Sequence, residues 1–70
     1  MSARFLDTAI VRLRKSLSRP DGSSVQGWRL LYAAQALAQG KRHPEYRGPG
    51  AMRRLVDDIK EYVPEMRSVA

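Results

Sequence analysis

Between Ser24 and Gln39 the chain reads SVQGWRLLYAAQALAQ and carries one charge, Arg29, in a protein where 29% of residues are charged. At about 100° per residue, Val25, Trp28, Tyr32 and Ala36 project to one side. Leu30, Leu31, Ala33, Ala34, Leu37 and Ala38 spread over the other. A helix that is apolar around most of its circumference cannot rest on a surface with one side in water. The stretch is therefore expected to be the central element, covered from two directions, either by the rest of the chain or by a partner molecule.

The flanking segments are amphipathic. In a helix over residues 2–18, Phe5, Leu6, Ala9, Ile10, Leu13 and Leu17 form one apolar stripe. Arg4, Arg12, Lys15 and Arg19 lie opposite, with Arg14 and Asp7 at the margin and Val11 stranded among polar neighbours. A helix over residues 49–63 has its own stripe of Met52, Leu55, Val56, Ile59, Tyr62 and Val63. Arg53–Asp57 and Arg54–Asp58 are spaced as i,i+4 pairs on its outer side.

The boundaries carry their own signals. Pro20 disfavours helical geometry at Arg19, and Asp21-Gly22 is turn chemistry. Ser23 and Gln26 have the spacing of a capping box and open the middle helix at residue 24. Gly27 weakens its first turn, which points to a neighbouring helix packed closely there. Gly40, with Lys41 and Arg42 behind it, stops the helix at residue 39. Residues 40–50, GKRHPEYRGPG, form the one long irregular stretch, and Pro49 suits the start of the third helix. Pro64 ends that helix, leaving a short C-terminal turn that Met66 could anchor. The expected fold is all-α: a compact three-helix bundle in a single domain over residues 1–70, the first two helices antiparallel across their short link.

Composition narrows the function. Seventy residues without a cysteine offer no disulfide and no thiolate metal site. No apolar run reaches the ~20 residues of a membrane span, and Arg4 and Asp7 interrupt the start of the chain before an export signal could form. The expected setting is cytoplasmic, with no membrane partner. His43 is the sole histidine, and neither a nucleophile motif nor a Gly-rich phosphate loop is present. No catalytic residue, metal, cofactor or small-molecule substrate is expected.

What remains is charge. The net charge is +6, and it is uneven: the chain through Arg54 carries +8, while the chain from Leu55 onward carries −2. Ten of the thirteen basic residues are arginine, suited to bidentate contact with phosphate or carboxylate. Arg4, Arg12, Lys15 and Arg19 could follow a phosphate backbone. Lys41, Arg42, Tyr46 and Arg47 could add cations and a stacking ring from the connector. The leading expectation is a small basic nucleic-acid-binding or transcription-associated regulator, for DNA or RNA, making mainly phosphate contacts. The alternative is an adaptor or inhibitor docking on an acidic surface of a larger host protein. In that case Trp28 and Tyr32, one turn apart with Gln35 and Gln39 continuing their face, would make the protein interface. A third reading is a structural homo-oligomer or homodimer in which a second copy covers that face.

Overall fold

A computed structural model describes residues 3–19, 21–22 and 24–68. Three α-helices follow in order, α1 (Ala3–Leu17), α2 (Val25–Ala38) and α3 (Ala51–Tyr62), and a 3₁₀ turn, η1 (Pro64–Ser68), closes the chain. The all-α three-helix bundle expected from the periodicities is the fold found. Each helix is one or two residues shorter than expected at its described ends, and Ser2 lies outside the described residues.

The core is assembled from the predicted stripes. Phe5, Leu6, Ala9, Leu13 and Leu17 of α1 meet Leu30, Leu31, Ala33 and Ala34 of α2 and Leu55, Val56 and Ile59 of α3, all buried. Each large side chain hidden in this way contributes about 1.5–3 kcal/mol relative to exposure. Met66 in η1 is fully buried as well, so the C-terminal turn is part of the core.

The expected capping box is not what opens α2. Ser24 is the N-cap, with extended backbone, and its Oγ accepts the Gly27 amide at 3.0 Å. Gln26 is exposed, and Ser23 lies outside the described residues. The same Ser24 hydroxyl reaches α3, where it hydrogen-bonds that of Tyr62. Gly27 is buried at the same crossing. A Cβ there would stand 2.8 Å from Tyr62 Oη and 2.9 Å from Leu17 Cδ2, so the close approach inferred from the sequence is real.

At the other end Gly40, with φ of 74°, terminates α2. The Lys41 amide bonds the Ala36 carbonyl at 2.8 Å and the Gly40 amide bonds Leu37 at 3.1 Å. This is the paired hydrogen bonding of a Schellman stop, which a left-handed residue makes possible. Helix α3 starts at Ala51 behind Gly50, so Pro49 belongs to the preceding turn and not to the helix.

One expectation is overturned. The i,i+4 pairs Arg53–Asp57 and Arg54–Asp58 do not form among the described residues. Arg54 Nη2 donates instead to the Arg47 carbonyl at 2.9 Å, and Asp58 accepts the Tyr46 hydroxyl at 2.5 Å. An exposed i,i+4 pair is worth only a few tenths of a kcal/mol, so bonds that also fix the connector win.

Helix α2 packs against both α1 and α3, as expected of the central element, but its cover is incomplete. The side of the α1/α2 hairpin that faces α3 is buried. Its other side leaves Val25 75%, Trp28 39% and Tyr32 58% exposed. With only three helices, α3 can cover one layer of the hairpin and not both.

Candidate functional site

Helix α1 rises about 1.5 Å per residue, so Arg4, Arg12 and Lys15 span roughly 16 Å along its surface, and Arg19 follows two residues past its end. All four are exposed. Arg12, Lys15 and Arg19 are brought together in a groove of about 610 Å³. Its opposite wall is the end of α3 and the start of η1, with Tyr62, Val63, Pro64 and Glu65. Ser24 also lines it. Arg4 stays outside, two turns nearer the start of α1.

The groove holds both signs of charge. Asp21 and Glu65 line it alongside the three cations. Among the described residues the only ion pair is Arg29 with Glu45, at 3.4 Å, so none of the groove's cations is held by a carboxylate. Three cations without an ion-pair partner around an open recess attract anions, and the two carboxylates limit how many negative groups can enter together.

The connector forms a separate site. Helix α2, 14 residues long, places about 21 Å between the Ser24 end of the groove and the start of the connector. Arg42, His43, Pro44 and Arg47 line a depression of about 250 Å³ there, and Lys41 is exposed beside it. The eight residues expected to contact an anionic partner are thus divided between the two ends of the molecule.

Tyr46 is not free to stack on a base. It packs partly buried against the core and donates its hydroxyl to Asp58 at 2.5 Å. Burial raises its pKa well above that of an ordinary tyrosine, and the hydrogen bond to Asp58 raises it further. The connector itself is ordered. His43 Nδ1 accepts the Glu45 amide at 3.2 Å, the Tyr46 amide bonds the His43 carbonyl, and Glu45 pairs with Arg29 of α2.

The aromatic pair occupies a third place. Trp28 and Tyr32 stack with ring centroids 5.7 Å apart and an interplanar angle of 29°. With Arg14, Leu17, Ser18 and Gln35 they line a groove of about 480 Å³ between α1 and α2. Gln39 is exposed farther along the same face, and Gln35 is half-buried. Helical projection puts Arg14 about 160° round α1 from Arg12, and the two grooves share no lining residue. One helix thus separates a cationic groove from an aromatic one.

Sequence reasoning missed Ser24 and Tyr62 as groove residues and Asp58 as the anchor of the connector. These contacts join residues 38 and 12 positions apart, and no local periodicity encodes them.

Among the described residues no helix is long and apolar enough to cross a membrane, and no cluster of three or more His, Asp or Glu side chains is placed to hold a metal ion. No family model, curated protein or solved structure matches the chain.

Proposed function

We propose that the protein is a small, non-catalytic, nucleic-acid-binding regulator of the cytoplasm that grips the phosphate backbone through α1. Arg12, Lys15 and Arg19 provide the principal contact, and Arg4 extends their line. Lys41, Arg42 and Arg47 give a second foothold at the far end of the bundle. Tyr46 serves this reading by holding the connector in place and not by touching the ligand.

The observation that carries the proposal is the groove in which three cations stand together without a carboxylate partner among the described residues. Phosphates that enter it release condensed counterions, and this term supplies most sequence-independent affinity. An Arg-rich surface suits such contact because each guanidinium can bind two phosphate oxygens at once.

The test is a binding titration with duplex and single-stranded DNA and RNA. Binding is expected at ~50 mM salt and should fall steeply, linearly in log–log form, as salt rises to ~200 mM. Absence of binding at ~50 mM removes the proposal. So would a pull-down from nuclease-treated lysate that recovers a stoichiometric acidic protein when nucleic acid does not bind, which would put the adaptor reading in its place.

A further inference from the structure

The two grooves beside α1 draw on the same stretch of chain. Arg12, Lys15 and Arg19 line the cationic one, and Arg14, Leu17 and Ser18 line the aromatic one. Residues 12–19, RLRKSLSR, hold four cations and no carboxylate. Helix α1 is about 10–12 Å across with its side chains, so the grooves lie one helix diameter apart at the same level. On the α2 wall of the aromatic groove the Trp28 and Tyr32 rings lie 29° from parallel, and Tyr32 keeps 58% of its surface in water. Arg14, on the facing wall, makes no ion pair among the described residues.

We infer that the aromatic groove is a base-stacking site and that the nucleic acid bound is a single strand. The inference rests on the phosphate contact proposed above and names the class of ligand that contact serves. In a duplex each base is stacked between its neighbours and shows a protein only its edge. An unpaired base presents a whole π-face, and an aromatic side chain accepts any base in this way because every base has such a face. A base laid on Tyr32 extends the stack that Trp28 already makes with it. Arg14 then meets the phosphate of that nucleotide, and the strand crosses α1 past Lys15 into the cationic groove. The Gln35 amide lies in the same groove as the rings and offers a donor and an acceptor to a base edge.

Charge selects this occupant. The exposed side of α1 carries Arg4, Arg14 and Lys15 against Asp7 alone, so a second copy of the chain would bring like charges together. A single strand brings one negative charge with each nucleotide and a flat ring with each base, which matches both walls of the groove. An acidic protein surface matches the charge but not the rings. The stacking role expected of Tyr46, which is tied to Asp58, passes to Trp28 and Tyr32.

Fluorescence titration of the full chain at ~50 mM salt, with a single-stranded oligothymidylate of ~12 nucleotides and with a duplex of the same length, tests the inference. The single tryptophan is the reporter. The single strand should quench Trp28 strongly, and the duplex should bind with little quenching. Tyr32→Ala should weaken single-strand binding about fivefold or more, while duplex affinity and the salt slope of both ligands hold to within about twofold. Tyr32→Phe keeps the ring and should bind the single strand to within about twofold of wild type. Helix content by circular dichroism should be unchanged in both variants, as Tyr32 is exposed. Salt-dependent binding that neither quenches Trp28 nor responds to Tyr32→Ala overturns the inference and leaves the phosphate contact standing. Equal quenching by the duplex overturns it as well. Absence of all binding removes both readings. Polyglutamate that quenches Trp28 as strongly as the oligonucleotide overturns it in favour of an acidic protein partner.

Discussion

The hydroxyl of Ser24 hydrogen-bonds that of Tyr62, joining the N-cap of α2 to the last turn of α3. Ser24 thus performs two functions at one atom: it satisfies the Gly27 amide and fixes where α3 crosses. The pair also lies on the wall of the cationic groove, so fold and candidate site share it.

Ser24→Ala should therefore cost more than an ordinary cap. Loss of the cap alone is worth ~1 kcal/mol, and the orphaned Tyr62 hydroxyl adds to it, for about 1.5–2 kcal/mol in all. Tyr62→Phe should cost about 1 kcal/mol, and the double variant less than the sum. Denaturant midpoints measure all three. Strict additivity would mean that the two hydroxyls do not interact.

Met66→Ala tests whether the C-terminal turn is structural. Deleting a fully buried methionine side chain costs about 2–5 kcal/mol. In a domain this small that is a large part of the total stability, and the thermal midpoint should fall by more than ~10 °C. A shift of a degree or two would show that residues 64–68 detach freely from the core.

The Tyr46–Asp58 contact predicts an alkaline weakness. Folding raises the pKa of this phenol, so between its ordinary value near 10 and the folded value the native state binds more protons than the unfolded one. The stabilisation is complete below pH ~10 and declines as pH rises beyond it. Tyr46→Phe removes it, at a cost of about 1 kcal/mol at neutral pH. The stability difference between wild type and variant should be constant from pH 7 to about 9.5 and shrink above pH ~10. A difference unchanged to pH 11 would refute the linkage.

Replacement of Arg12, Lys15 and Arg19 together by glutamine should reduce the log–log salt slope of nucleic-acid binding by about 2.7, at roughly 0.9 for each phosphate no longer neutralised. The same triple variant should keep its helix content. An unaltered slope would show that phosphate is held elsewhere on the molecule.

Helices α1 and α3 were legible in the sequence because each carries one apolar stripe and one polar face, and that contrast fixes orientation without further information. Helix α2 was legible as a helix but not in its orientation. With leucine, alanine and aromatics on nearly every side, hydropathy could not say that Leu30 and Ala34 face α3 while Tyr32 faces water. The basic line of α1 was legible too, but not its division. Only the return of Pro64 and Glu65 beside Arg12 makes a groove of one end and leaves Arg4 outside. The connector read as irregular, and its order was hidden because Tyr46, Arg47 and Glu45 are tied to Asp58, Arg54 and Arg29 on two different helices.

That tethering has a thermodynamic effect on any ligand the connector meets. A loose loop must give up its freedom when it closes on a ligand, and affinity is reduced by that ordering. Here the Lys41 amide and the Arg47 carbonyl are already hydrogen-bonded to α2 and α3 in the folded bundle. These side chains need settle only their own rotamers to engage an anion, which leaves the site preorganised.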